Sequence, residues 1–534
     1  MKHRYTYALI IIILLGITLR YWKLGQAPAG LYLDEAGQGY SAYSILKTGK
    51  DEFGMPFPAA FRSFNDFKTP VYIYLITPLI PIFGLNTFSI RLPSFIFSIL
   101  TLPLLYFLII KLASNSIKDI KFARQLAILS TFFLSISPWH ILFGRTNFEC
   151  NVALFLLLFA FYIFQISLKK PWLLMVSAMF FAIALPAYHS ERILVPIFLI
   201  YLLTKYYKVL ISPSFFRYSL IGLLIGVFMS IPTLKIVSTP GFMARVSALS
   251  IFSTQHGWGI KEWPSLYFSY FSPRQLFWLG DSGPRSSFPG LSVMYLWQLP
   301  LYVYGLYLLF KSKLPKNIKS FVILMLFTSP IPASLTRDPF STIRSLPMVI
   351  PLSIICAIAF IKVTKNLKQV FTAFMILAIS IYSILKLYSS GYLLNEYYRA
   401  PFWDYGWQQV ADTIKNELDE SLPIVVDNAR AEPYSQLLVY MKVDPAWYQM
   451  NNFEVTNSDY YTNMSRNTTK RLGRITTKEI YWKDDEKIDQ YLVGDYLSIS
   501  NQQIKDHKLT LVKDIFYPDG SLAYRILKTN PDRL

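Results

Sequence analysis

Two adjacent carboxylates, Asp34 and Glu35, follow the first apolar run of this chain, within Leu31-Tyr32-Leu33-Asp34-Glu35-Ala36-Gly37-Gln38-Gly39-Tyr40. A carboxylate close to a bilayer is costly unless it is paired, and such residues often mark function. Asp34 can act as a base that takes a proton from a hydroxyl; the other reading is a solvated loop pair at the lipid headgroups. Asp66 and Lys68 precede Pro70. There Lys68 either holds a phosphate as a point charge or snorkels to headgroups. His140 follows Ser137-Pro138-Trp139, and Arg145 and Glu149 stand four apart, which on a helix gives them one face. Tyr188-His189-Ser190-Glu191-Arg192 packs four polar side chains into a short stretch, and Arg337, Asp338 and Arg344 occupy another. Arginines there suit bidentate binding of a phosphate, or anchoring to headgroups. Cys150 and Cys356 fall at or inside apolar runs and form no metal spacing. A phosphate-cradling glycine loop, a zinc motif and a nucleophile elbow are all missing, which disfavours a soluble nucleotide-dependent enzyme.

The elements that must position these residues are membrane spans. The 534 residues are 53% apolar and 17% aromatic, and several apolar runs approach or exceed the ~18–20 residues needed to cross a bilayer. About eleven spans are expected, near 5–22, 92–110, 125–137, 151–168, 172–187, 193–204, 218–237, 294–310, 320–335, 347–361 and 369–388. The first is read as an uncleaved helix. The short, proline-containing run 71–84 suits an interfacial or re-entrant helix. Residues 23–70 and 238–293 become long outer loops, with 36–47 helical. The basic stretches, such as Lys118, Lys121 and Arg124, place the N-terminus in the cytoplasm and the C-terminal region outside, in a multi-pass protein of the plasma (cell) membrane.

The net charge of +20 is unevenly spread. Residues 1–388 carry 35 Lys and Arg against 11 acids, whereas 389–534 carry 17 against 21. The excess of base therefore belongs to the membrane part and its topology, and nucleic acid is not an expected partner. Of those 11 acids only Asp119 is expected on an inner loop; the other ten gather outside and point to a polar site there. The chain thus divides into a transmembrane domain, 1–388, and a small extracytoplasmic α/β domain, 389–534. In the latter, 405–420 and 432–442 read as helices, 422–427, 509–517 and 522–527 as strands, and Pro518-Asp519-Gly520 as a hairpin turn.

The ordered set Leu33-Asp34-Glu35-Ala36, Lys68-Thr69-Pro70-Val71-Tyr72-Ile73-Tyr74-Leu75, Phe83-Gly84, Arg91-Leu92-Pro93-Ser94, and Ser137-Pro138 with Arg145 and Glu149 resembles the GT-C superfamily. The nearest branch is that of the protein O-mannosyltransferases and aminoarabinose transferase-like enzymes. The resemblance is good over the first 200 residues or so, and later extends only to layout. It implies an α-helical polytopic fold and a sugar donor linked to polyprenyl phosphate. It also implies a protein, lipid or glycan acceptor, and hexosyl or pentosyl transfer on the outer membrane face. Asp34 matches the family's proposed base. Glu35 and Glu149 are counted in the catalytic set, Glu149 to orient Arg145 or the acceptor, and Glu35 with the alternative that it is a helix-N-terminal partner positioning the loop; Asp66, Lys68, Arg91, His140, Arg145, His189, Glu191, Arg192, Arg337 and Arg344 are expected at the substrates. The chain departs from the aminoarabinose branch at Phe67-Lys68-Thr69-Pro70, where those members have Glu-Lys-Pro-Pro, which leaves the acceptor and any divalent metal open.

The chemistry is consistent with one base. A sugar phosphate already has a good leaving group, so the second carboxylate of a glycoside hydrolase is not needed. The departing charge requires Arg, Lys or a metal. A transporter or flippase of a lipid-linked saccharide is the alternative; against it stand the lack of charges deep in the spans and of an inverted repeat. Asp34, Glu149, Glu191 and at least one of Lys68, Arg192, Arg337 and Arg344 are expected to line one outer cavity.

Overall fold

The computed structural model describes residues 2–64, 66–114, 120–237, 239–240, 249–253 and 259–533. Lys118 and Asp119 of the expected inner loop, and parts of the expected loop 238–293, lie outside them. The chain forms two compact units. One comprises Met1–Leu24, Leu92–Ser238 and Arg245–Gly391, the other Gly25–Arg91, Thr239–Ala244 and Tyr392–Leu534.

The first unit is helical. Among the described residues, seven helices of the chain are long and apolar enough to cross a membrane: Arg4–Tyr21, Thr87–Ala113, Cys150–Ser167, Glu191–Leu210, Pro213–Val237, Leu346–Thr364 and Gln369–Trp403. The other four expected spans are also helices, but shorter: Ile120–Ser135, Leu173–Ala184, Leu299–Lys311 and Lys316–Thr328. The protein is thus multi-pass, and the run near 71–84 is a short apolar helical segment, Pro70–Phe83. At the centre of the unit every residue from Val349 to Phe360 is buried. Leu299–Lys311 approaches that helix through Gly305, where a Cβ would sit 2.3 Å from the Ile355 carbonyl oxygen. Only glycine permits the contact.

The second unit joins the first loop to the C-terminal region. Its first helix, Leu33–Thr48, starts after an extended Tyr32 and carries Asp34 and Glu35 in its first turn and Lys47 in its last. Both ends complement the helix dipole. It stops at Gly49, which takes a left-handed φ of 70° and donates its amide to the Ile45 carbonyl at 2.9 Å. A hairpin follows, β1 (Phe61–Ser63) and β2 (Asp66–Lys68), in the register Phe61 to Lys68. Pro70 then opens the next helix at its first position, where its missing N–H costs nothing.

The C-terminal strands are β3 (Ile424–Val426), β4 (Lys470–Leu472), β5 (Ile475–Thr477), β6 (Tyr491–Asp495), β7 (Thr510–Phe516) and β8 (Leu522–Lys528). They form a mixed sheet in the order β4-β5-β3-β6-β8-β7, parallel only across β5-β3-β6. The wholly buried β3 lies at its middle. Val425, Leu492, Ile499, Leu509 and Leu527 form one core under it. The expected hairpin is present: Gly520, at φ 84°, donates its amide to the Tyr517 carbonyl at 2.9 Å.

The first loop is tied to this region within the unit. The Tyr40 hydroxyl donates to the Val443 carbonyl at 3.2 Å, and its ring packs edge-on against Tyr448. Gln449 Nε2 donates to Ser44 Oγ, Thr48 Oγ1 and the Asp51 carbonyl, at 3.0, 3.1 and 2.8 Å.

Candidate functional site

In the second unit the two adjacent acids diverge. Successive helical positions point about 100° apart, so Asp34 and Glu35 cannot share one environment. Asp34 Oδ1 accepts from Lys68 Nζ at 2.9 Å, with the Asp34 side chain 27% exposed and Lys68 11%. Glu35 is fully buried. Its Oε1 takes Arg91 Nε at 2.9 Å, and its Oε2 takes Arg91 Nη2 at 2.6 Å and the Tyr32 amide at 3.2 Å. Arg91 spends its remaining donors on the carbonyls of Pro28 and Gly30, at 2.9 and 2.7 Å, and its guanidinium lies over the Trp403 ring. Glu35 and Arg91, expected in the chemistry and at the substrate, therefore brace the loop that leads into the helix. Their polar atoms are occupied and their side chains sealed from any ligand.

The helix carrying Asp34 has another anchor that the sequence did not reveal. Asp404 Oδ2 accepts the Leu33 amide at 2.8 Å and Gln436 Nε2 at 2.9 Å. It thus satisfies one of the free N–H groups at the helix start. Asp404 follows Trp403, whose ring meets Tyr32 edge-on. Gly30, at φ 94°, lets the backbone of Trp403 pass so close that a Cβ would meet its carbonyl oxygen at 2.1 Å. An acid between Trp403 and Tyr405, 371 residues away, gives no spacing signal of its own.

Lys68 reaches Asp34 from the end of β2. Asp66, on the same strand, is half-buried, and its carboxylate accepts its neighbour's Phe67 amide at 2.7 Å. Tyr434, also missed, is buried where it feels the charges of Glu52, Arg466, Glu432 and Asp34. Arg466 pairs with Glu432 and lies over the Phe64 ring.

Behind these lies a second buried acid pair. Asp51 accepts the amides of Phe53 and Met55 at 3.0 and 2.9 Å and the Tyr460 hydroxyl. Burial pushes its pKa up to about 6, against the pull of those hydrogen bonds. Glu52 is also pushed up, by burial and then by the Asp51 charge. Lys470, paired with Glu454, is held below the usual lysine range by burial.

In the first unit, His140 is fully buried and takes Arg20 Nη2 on Nδ1 at 2.8 Å. Burial and the Arg20 charge hold it well below the usual histidine range. Arg20 otherwise donates to the carbonyls of Gly16, Leu134 and Ser135. Arg145 donates to the Arg20 and Leu19 carbonyls at 2.8 and 3.4 Å, closing the end of the first helix. His140 and Arg145, expected at the substrate, are thus both buried and engaged in holding helix ends. The expected shared helical face of Arg145 and Glu149 does not form, because 144–149 is irregular and the helix Cys150–Ser167 starts only after Glu149.

Three stretches of this unit that are expected outside meet one another. Trp139 Nε1 donates to the Thr342 carbonyl at 3.0 Å, and Ser190 Oγ donates to the Arg344 carbonyl at 2.9 Å. Arg344 Nη1 holds Thr336 Oγ1 at 3.2 Å and Ser341 Oγ at 3.3 Å, and pairs with Asp338. The charges of Glu149 and Glu191 both act on the Cys150 thiol. Glu191 is buried, and its Oε2 has no hydrogen-bond partner among the described residues. His189 is half-exposed against the Tyr188 ring, Arg192 is half-buried and Arg337 is exposed. Among the described residues no three side chains of His, Cys, Asp or Glu converge as metal donors. The described residues therefore offer no side-chain donor set that fits a bound divalent ion.

The chain thus combines a multi-pass helical unit with a mixed C-terminal sheet and carries an acid in the first turn of the helix Leu33–Thr48. A family model for dolichyl-phosphate-mannose-protein mannosyltransferases matches residues 67–234. The structure of ArnT from Cupriavidus metallidurans in the apo state is similar over 99% of this chain and 98% of that chain, at 11% identity and a TM-score of 0.52. The same protein bound to undecaprenyl phosphate is similar over 97% of both chains, at 10% identity and a TM-score of 0.51. No curated protein matches the sequence. The GT-C resemblance read from the ordered motifs is borne out in the fold and in the family model.

Proposed function

We propose that the protein is an inverting glycosyltransferase of the membrane, moving a hexosyl or pentosyl group from a polyprenyl phosphate to an acceptor hydroxyl on the extracytoplasmic face. The observation that carries this reading is the division of labour at the helix start. Glu35 is closed off by Arg91, while Asp34 remains partly exposed and oriented by Lys68. The family model for a lipid-phosphate mannosyltransferase and the likeness to ArnT, which binds undecaprenyl phosphate, support a donor of this kind.

Asp34 takes the proton of the acceptor hydroxyl as its oxygen attacks the anomeric carbon. The bond from that carbon to the phosphate oxygen breaks, and its electron pair leaves with the phosphate. A single displacement inverts the centre. Lys68 fixes the Asp34 carboxylate and offers its remaining donors to the developing phosphate charge. The distribution of the basic stretches supports reading this face as the one outside the cytoplasm.

The test is Asp34→Asn in membranes supplied with labelled polyprenyl-phosphate sugar and membrane extract. Transfer is expected to fall by about 100-fold or more, the usual range for a lost general base. Undiminished transfer rejects Asp34 as the base.

A further inference from the structure

A groove in the second unit, separate from the residues above, has a cavity volume of about 480 Å³. Tyr43 and Leu46 line it from the end of the helix Leu33–Thr48, and Ile80, Pro81 and Leu85 from the end of the short apolar segment and just beyond it. Lys47 and Lys442 complete it. Its lining is mostly apolar, with a cation contributed by each of two distant parts of the chain.

Both lysines are exposed and neither forms an ion pair among the described residues. Lys47 Nζ lies 5.7 Å from the Tyr43 ring centroid. Lys442 ends the helix Pro433–Met441 in a left-handed conformation, at φ 53°. Beside the groove, Ile82 is 70% exposed and Phe83 44%, and Leu46 in its lining is 37% exposed. Exposed apolar side chains in a row mark a contact with lipid or another apolar surface. The segment Pro70–Phe83 that carries two of them is apolar but too short to span, as suits a helix lying at the membrane interface.

The two features select an occupant. A free phosphate would use the lysines and leave the apolar floor in water. An apolar peptide would use the floor and leave two cations without a counter-charge. An amphiphile with an anionic head uses both, and the outer leaflet, on the face where this unit is read to lie, is its source. We propose that this groove binds an anionic glycerophospholipid of the bilayer, its phosphate held by Lys47 and Lys442 and an acyl chain lying along Ile80, Pro81 and Leu85.

The experiment is native mass spectrometry of the full chain, released from detergent in the presence of phosphatidylglycerol or phosphatidylcholine with identical acyl chains. The wild-type protein is expected to retain phosphatidylglycerol preferentially. Lys47→Ala and Lys442→Ala should each weaken that retention about fivefold, as for the loss of one lysine near a lipid surface. The double alanine variant should lose the preference, and K47R/K442R should keep it. Thermal melting of each variant, read in the same preparation, separates loss of the lipid from loss of the fold. Equal retention of the two lipids by the wild type overturns the proposal, as does unchanged retention in a folded double variant. Displacement of bound phosphatidylglycerol by equimolar polyprenyl phosphate also overturns it, because the groove would then belong to the carrier. Displacement by millimolar inorganic phosphate would overturn it in favour of a simple anion site.

Discussion

Arg91 clamps Glu35 through two parallel hydrogen bonds, of 2.9 and 2.6 Å, with both side chains wholly buried. Removing one charge leaves the other in the interior without a partner, which costs about 3–5 kcal/mol. Glu35→Gln should therefore lower the melting temperature strongly. Arg91→Lys should do so too, because an ammonium cannot reproduce the planar fork or reach both carbonyls of the loop. Residual activity should track the folded fraction. A Glu35→Gln protein that melts normally yet fails to transfer sugar would return Glu35 to the chemistry.

The Lys68–Asp34 pair predicts a different pattern. Lys68 is ion-paired with the proposed base at 2.9 Å. Lys68→Ala should lower kcat by about 100-fold, the scale for losing one preorganised donor in an active site. Melting should change little, because a partly exposed pair contributes little to stability. Residues acting as one unit are not additive. The double variant D34N/K68A should thus be scarcely worse than Asp34→Asn alone. Full multiplication of the two defects would show that Lys68 acts independently of Asp34.

Asp404 acts through the Leu33 amide and not on any substrate, so its prediction is a split between kinetic constants. Asp404→Ala frees a helix-start N–H and the Gln436 amide, at a cost of about 1 kcal/mol for a lost cap. The helix start carrying Asp34 then loosens, and kcat should fall several-fold while the donor KM stays near the wild-type value. Asp404→Asn keeps an acceptor oxygen and should restore most of kcat. If alanine and asparagine behave alike, the hydrogen bond is not what positions the helix.

The helix beginning at Leu33 is legible because acids at its start, a lysine at its end and Gly49 after it all agree with one another. The eleven apolar runs are legible as helices because each is an apolar stretch with a Lys or Arg at one end. The first-loop residues were expected as part of a membrane domain at 1–388, yet residues 25–91 form one compact unit with 392–534. Nothing local records that, since Tyr40, Ser44 and Asp51 meet their partners about 400 residues later. The strands β4 and β5 escaped because three residues each, with Lys470 and Arg471 among them, leave no period to read. Short tertiary pairing overrides such weak propensity. Among the candidate residues, charge and loop position single out Asp34, Lys68, Glu191 and Arg344. They could not separate them from Arg91, His140 and Arg145, whose chemistry is the same but which are buried and spent on carbonyls or on each other's helices. Burial of a charge is decided by partners distant in sequence, and pattern does not show it.

The Asp51 site gives stability a pH slope whose sign follows from its direction of shift. Burial raises the folded-state pKa to about 6 from an unfolded value of 3.8. Between these values the folded protein binds the proton that the unfolded chain has already lost. Stability should therefore fall as pH rises from about 4 to about 6, and be flat in this respect beyond either end. A shift of about two units corresponds to about 3 kcal/mol. Its neighbours are Tyr460, Arg62 and Glu52, and Glu52, also raised by burial, extends the fall to higher pH. Lys470, lowered by burial, opposes it only in the alkaline range, where the unfolded chain holds a proton that the folded one has lost. Denaturant melts of the full chain in detergent at pH 4, 5, 6 and 7 check this. The asparagine variant of Asp51 keeps an oxygen for the Phe53 and Met55 amides and should flatten the slope between pH 4 and 6. A slope of the opposite sign in the wild-type chain would mean that the Tyr460 and amide hydrogen bonds outweigh burial, and that Asp51 is charged in the folded protein throughout.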